Sequence, residues 1–204
     1  MSAIQKVGVI GAGQMGNGIA HVAATSALDV VLLDVTEEAL KRGLTAIDKN
    51  LTRMVQKGKL AEAEKPVILA RIKPTLHYED FGDSDLVIEA ATENESVKRK
   101  IFDQLCPVLR ADTYIASNTS SISITRLGAA TDRPARFMGM HFMNPVPVMQ
   151  LVELIRGIAT AEETFSTVRE MVLKLGKRPV SAEDFPAFIV NRILLPMINE
   201  AIYT

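Results

Sequence analysis

The chain has 204 residues, 48% of them apolar, with 23 basic and 24 acidic side chains, a formal net charge of −1 and one cysteine. That is enough apolar material for one large core, or for one domain plus part of another. The balanced, interspersed charge argues against nucleic acid or an anionic membrane as partner; the strand-length apolar runs argue against a transmembrane span, and no basic segment leading into a hydrophobic core marks a signal peptide.

The first predicted element is a strand at Val7-Gly8-Val9-Ile10, which breaks into Gly11-Ala12-Gly13-Gln14-Met15-Gly16 and then into the helix-forming Asn17-Gly18-Ile19-Ala20. Strand, glycine turn and helix start, in that order, form a dinucleotide-binding pattern. Gly11 makes the tight turn, Gly13 lets backbone N–H groups approach a pyrophosphate, and Gly16 lets the helix pack closely on the strand. The pyrophosphate would sit on the positive end of the helix, beside Gln14 and Met15. A second strand, Val30 to Leu33, ends at Asp34, placed to accept hydrogen bonds from a ribose 2′-OH. Its carboxylate repels a 2′-phosphate, so NAD is favoured over NADP, with Lys41 and Arg42 as the residues that could reverse that preference.

Apolar positions Leu40, Leu44, Ile47, Leu51, Met54 and Val55 recur at helical spacing, predicting a long helix over 36–59, with a second over 62–72. Together they read as a helical hairpin standing out from the sheet. Strands are then expected at Thr75-Leu76-His77, Leu86 to Ala90 and Tyr114 to Ser117, with helices between. This alternation gives an α/β, doubly wound sheet of Rossmann type. Ligands gather at the carboxyl ends of such strands, which selects Ala90 to Asn94 and Ser117 to Ser121. Cys106 falls in an apolar helical pattern and reads as a packing thiol; one thiol cannot close an intrachain disulfide, which suits a reducing, cytoplasmic setting.

Further strands are predicted through Met138 to Phe142 and Met149 to Ile155, where Glu153 shares a face with Met149, Leu151 and Ile155. A charge on an otherwise apolar face needs a partner or a purpose. A helix over 161–175, a short strand near Pro179-Val180-Ser181 and an apolar helical segment over 186–204 follow. The broad apolar surface of the last (Ile189, Ile193, Leu194, Met197, Ile198, Ile202) needs cover, and its change of character puts a boundary near Phe185-Pro186.

Four blocks now carry a resemblance: Ser117-Asn118-Thr119-Ser120-Ser121, Met140 through Met149, Leu151-Val152-Glu153, and Phe188-Ile189-Val190-Asn191-Arg192. In this order, and together with the glycine loop, they resemble the L-3-hydroxyacyl-CoA dehydrogenases, including bacterial 3-hydroxybutyryl-CoA dehydrogenases, from Val7 to the end. The resemblance implies NAD-dependent oxidation of a short-chain (S)-3-hydroxyacyl-CoA, the alternatives being a non-catalytic NAD-binding or structural protein on the same fold and a related dehydrogenase of a free hydroxy acid. It implies His141 as general base oriented by Glu153, in keeping with what a hydroxyl proton requires as hydride leaves carbon. The plainer reading is a strand-end histidine satisfied by backbone beside a wet-edge acid.

Ser120 and Asn191 match positions that hydrogen-bond the reacting oxygen and the histidine's surroundings, although Ser120 also suits a helix cap before Ile122. Ala90, Asn118 and Asn144 fall at cofactor positions. Glu93 and Lys98 match the nicotinamide end, or else are exposed helix-start charges. Asn50 and Lys57 fall where the family places coenzyme A contacts, or else on a solvated helix face. No metal site is expected, and His21 and His77 read as structural or surface residues. The family's usual glycine is alanine at position 187, which restricts the backbone there. Residues 1–185 thus read as the NAD-binding domain and 186–204 as the first helix of an all-α C-terminal domain. Most of that domain is absent here, and in the family it completes the substrate cleft and a homodimer.

Overall fold

The computed structural model describes residues 4–204. In chain order its main elements are β1 (Lys6–Ile10), α1 (Gln14–Thr25), β2 (Asp29–Leu33), α2 (Glu37–Gln56), α3 (Glu64–Ala70), β3 (Ile72–Thr75), β4 (Leu86–Glu89), α4 (Glu95–Leu105), β5 (Tyr114–Ser117), α5 (Ile124–Gly128), β6 (Phe137–Phe142), β7 (Leu151–Arg156), α6 (Glu162–Lys174), β8 (Arg178–Glu183) and α7 (Val190–Tyr203). The strands form one sheet in the order β3-β2-β1-β4-β5-β6-β7-β8. Neighbours run parallel except β6 and β7, which are antiparallel.

The strands are apolar on both sides because helices cover both sides. Val7, Val9, Val30, Leu32, Leu86, Ile88, Met138 and Met140 pack with the inner faces of α1, α2 and α6. The alternate residues Ile10, Val31, Leu33, Val87 and Ile115 pack with α4 and α5 on the opposite face. This is the doubly wound Rossmann-type sheet expected from the alternation of elements. From β1 the chain fills the sheet first through β2 and β3, then crosses to β4, so a crevice opens at the carboxyl ends of β1 and β4.

Local chemistry explains the helix starts. Thr36 accepts a hydrogen bond from the Ala39 N–H and two acids occupy the first turn of α2, while Asn94 accepts from the Val97 N–H at the start of α4.

Several expectations need correction. The strand placed at residues 75–77 lies at Ile72–Thr75, because pairing with β2 ends at Leu33 and the Thr75 hydroxyl then takes the His77 N–H. The α2 and α3 pair does not stand clear of the sheet: Leu40, Ile47 and Leu51 are buried in the main core, and Gly43 lies so close to Ala12 that an added Cβ would meet its carbonyl oxygen at 2.7 Å. Met149 belongs to an exposed loop rather than to β7. Cys106 starts a 3-10 turn and is half-buried against the α4 side of the core, its thiol pKa pushed up first by burial. Residues 186–189 form a turn before α7, in which Ala187 and Phe188 take φ values of 67° and 50°. The left-handed region costs a residue with a Cβ about 1–2 kcal/mol, which is the restriction expected of alanine at 187.

Of the two readings open for His21, structural or surface, the structure selects the first. This histidine is 2% exposed, its Nδ1 lacks a partner, and burial, followed by the charge of Lys177, lowers its pKa from 6.5 to about 4. The unfolded chain therefore binds a proton that the folded chain refuses between those two values. Stability from this residue is full above pH 6.5 and is lost as pH falls toward 4, by about 3 kcal/mol in all. Urea denaturation of His21→Gln across that range should show a flatter acid limb than the unaltered protein; equal slopes would refute the assignment.

Candidate functional site

The glycine loop lies where β1 meets α1. Gly11 has φ 98°, and a Cβ there would strike the backbone of Ala90 and Ala91 at 2.7–2.9 Å. At Gly16 a Cβ would fall 1.7 Å from the Gly11 carbonyl oxygen, so only glycine lets the helix close onto the loop. Gly13 faces open space. No side chain caps α1 and its first turn holds no acid, so its leading amides are left for an anion. Asp34, at the end of β2, accepts the Ala12 N–H at 2.7 Å and is thereby fixed at the lip of the loop. A dinucleotide fits this cradle: open glycine, uncapped helix and fixed carboxylate match a pyrophosphate and a ribose diol.

A cleft of about 600 Å³ runs from this loop across the carboxyl ends of the strands. It gathers Gly13, Gln14, Met15, Ala90, Glu93, Lys98, Asn118, Ser120, His141, Asn144 and Asn191 from separate parts of the chain. The antiparallel turn between β6 and β7 sets His141 directly opposite Glu153. His141 Nδ1 lies 2.6 Å from Glu153 Oε2, and Glu153 is fully buried beneath. The other oxygen of Glu153 accepts the N–H groups of Ile189 and Val190, each at 2.9 Å, where α7 begins. Burial alone would raise the Glu153 pKa, but the bonds from His141, Val190 and Ile189 outweigh it and hold the carboxyl below its usual range. An ionised acceptor on Nδ1 leaves Nε2 of the neutral ring free to take a proton, and it stabilises the imidazolium that results. Glu153 is therefore no wet-edge charge.

Glu93 sits at the rim of the cleft. Its Oε1 accepts the Thr119 hydroxyl at 2.7 Å together with the hydroxyls and N–H groups of Ser120 and Ser121 at 2.9–3.0 Å. Desolvation opposes ionisation, but these bonds prevail and lower its pKa. Glu93 precedes the Asn94 cap, so it is not a first-turn helix charge; it holds the 119–121 loop in place. Ser120 is not a cap either: Ser123 caps α5. Asn191, from the first turn of α7, donates to the Ser120 carbonyl at 3.2 Å and joins that loop to the helix. Asn118 accepts the Phe142 N–H at 3.0 Å, which ties the end of β5 to the strand carrying His141.

Lys98 is 1% exposed rather than solvated, and its Nζ lies 2.5 Å from Glu89 Oε2. Glu89, at the end of β4, is fully buried; it also accepts the Ser117 hydroxyl at 2.7 Å and the Ala91 N–H at 2.9 Å. Sequence reasoning missed it, although a charge in an otherwise apolar strand was the signal that singled out Glu153. It also missed Asp184, which accepts the Ser123 hydroxyl and the N–H groups of Ile124 and Thr125 and so ties the end of β8 to α5. Asn50 and Lys57 do not reach the cleft. Asn50 is half-buried along α2 and Lys57 ends that helix, exposed. No cluster of metal-binding side chains occurs among the described residues, and no described helix is long and apolar enough to cross a membrane.

Comparison with known proteins gives a consistent result. Residues 6–185 match the 3-hydroxyacyl-CoA dehydrogenase NAD-binding domain. The chain is 64% identical over 201 residues to a 3-hydroxybutyryl-CoA dehydrogenase of Bradyrhizobium diazoefficiens, covering 98% of this chain and 69% of that one. It is 55% identical to a probable 3-hydroxybutyryl-CoA dehydrogenase of Deinococcus radiodurans, covering 97% and 70%. Among solved structures, (S)-3-hydroxybutyryl-CoA dehydrogenase of Ralstonia eutropha superimposes with a TM-score of 0.96 at 51% identity, covering 98% of this chain and 70% of that one.

Proposed function

The chain belongs to the 3-hydroxyacyl-CoA dehydrogenase family, and from that premise we propose how its cleft divides the work. The activity is that of an NAD-dependent oxidoreductase acting on an acyl-CoA: it oxidises an (S)-3-hydroxyacyl-CoA, 3-hydroxybutyryl-CoA being the short-chain case, to the 3-ketoacyl-CoA. NAD, when bound, supplies the hydride acceptor at carbon 3 of the substrate. Gly11, Gly13, Gln14, Met15, Gly16 and Asp34 hold its adenosine and pyrophosphate, and Ala90, Glu93, Lys98, Asn118 and Asn144 its nicotinamide end.

His141 does the proton work. Its Nε2 takes the hydroxyl proton as the C–H bond breaks and returns it to the carbonyl oxygen in the reverse direction, while Glu153 holds the ring and offsets its charge. Ser120 and Asn191 position the reacting oxygen; neither side chain titrates near neutral pH, so both can donate or accept throughout. Asn50 and Lys57, outside the cleft on α2, meet the coenzyme A end. The observation that carries this reading is the His141–Glu153 pair, buried at the mouth of a nucleotide cleft with one ring nitrogen left over.

The domain division follows: residues 1–185 bind the cofactor, and 186–204 open a helical domain through which the full-length protein pairs as a homodimer in the cytoplasm. The exposed apolar side chains of α7, among them Ile193, Leu195, Met197 and Ile202, support that division. Mixing the protein with NADH and acetoacetyl-CoA, with free acetoacetate alongside, tests the whole reading. NADH absorbance should fall with the thioester alone. NADH binding without turnover would overturn it.

A further inference from the structure

Lys177 lies between α6 and β8 and is 7% exposed, yet no carboxylate lines the hollow of about 240 Å³ beside it, which His21 also lines. A buried ammonium without a counter-ion is costly unless dipoles replace its water. Here two backbone carbonyls do so. Nζ donates to Val146 O at 2.5 Å and to Met149 O at 2.8 Å, and Lys177 makes no ion pair among the described residues. Both carbonyls belong to the 143–150 loop, which joins the strand of His141 to the strand of Glu153.

That loop is gripped from two sides. Val146 is 2% exposed and lies against α1, so close to Gly18 that an added Cβ there would meet Val146 Cβ at 2.8 Å. On the other side stand Lys177 and, at the loop's end, the Arg178 N–H donating to Gln150 O at 2.8 Å. The loop's first residues, Met143 and Asn144, line the cleft.

We propose that Lys177 is a positioning residue for the cofactor: its ammonium fixes two carbonyls of the 143–150 loop and thereby holds Met143 and Asn144 against the bound dinucleotide. This rests on the cofactor reading above. Without the ammonium, the two carbonyls lose their partner and the loop can settle into the adjoining hollow.

NADH fluorescence titration and amide hydrogen exchange of residues 143–150 test the idea on Lys177→Met, Lys177→Arg and Val168→Ala. The last empties a buried site on α6 that lines neither the cleft nor the hollow, and so controls for lost stability. Lys177→Met should weaken NADH binding about tenfold and speed exchange at Val148 and Met149, whose N–H groups both donate to Pro145 O. Lys177→Arg, which keeps the charge and donors, should bind within about threefold of the unaltered protein. Val168→Ala should lower the melting temperature while leaving both readouts in place. If Lys177→Met does not fold, Lys177→Gln makes the same comparison. Unchanged NADH binding in the uncharged variant, or an equal loss in Val168→Ala, overturns the proposal. An unaltered protein that binds no NADH instead overturns the cofactor reading, and shows it before any variant is compared.

Discussion

Replacing His141 with asparagine should lower the rate of NADH-dependent acetoacetyl-CoA reduction by about 10²- to 10⁴-fold, the usual contribution of a positioned acid or base. Asparagine is the informative choice because its amide nitrogen falls where Nδ1 does and can still donate to Glu153, whose Oε2 now sits 2.6 Å from His141 Nδ1. The buried carboxylate therefore keeps a partner, and what is lost is a nitrogen that can accept and release a proton. NADH affinity should hardly move, since the glycine loop and Asp34 belong to β1, α1 and the end of β2, apart from the strand of His141. Rate loss without loss of cofactor binding would support the proton-transfer role. A variant retaining more than about a tenth of the rate would refute it.

The second large effect falls on stability. Changing Glu89 to leucine leaves the Lys98 ammonium, 1% exposed, without the carboxylate that now lies 2.5 Å away. Breaking a buried pair from one side costs about 3–5 kcal/mol, because the remaining charge is neither solvated nor paired. Changing both members, Glu89→Leu with Lys98→Met, should recover most of that loss, since no orphaned charge remains. Urea denaturation of the two single variants and the double variant forms the cycle. Additive losses would show that the two side chains stabilise the fold independently and that the contact is incidental. The Ser117 hydroxyl and Ala91 N–H, which also donate to Glu89, set a limit on the recovery.

Much of the architecture was legible because each step had a local cause. The glycine loop needed residues without Cβ atoms, and Gly11 and Gly16 show why in their distances to Ala90 and to each other. Glu153 could be found because a charge on an apolar strand face demands a partner, and the antiparallel register supplied His141. The same rule applied to Glu89 and was overlooked there, since its partner Lys98 comes from a helix nine residues on and not from a strand. The edge strand was misplaced because β3 reads buried, exposed, exposed, buried, which carries no clean alternation, and because its Pro74 weakens the strand signal. Burial of His21 and Lys177 was not readable at all. Both depend on how the 143–150 loop folds back over the end of α1, a contact that no local pattern encodes.

One carboxylate serves two masters. Glu153 gives one oxygen to the imidazole and the other to the two amides that open α7. Linkage makes that sharing reciprocal: any ligand that draws α7 inward by strengthening those amide bonds changes the proton affinity of His141 by a factor α, and protonation of His141 changes the ligand's affinity by the same factor. Since α7 also brings Asn191 to the Ser120 loop, a ligand that engages that loop through α7 is coupled to the base through the same carboxylate.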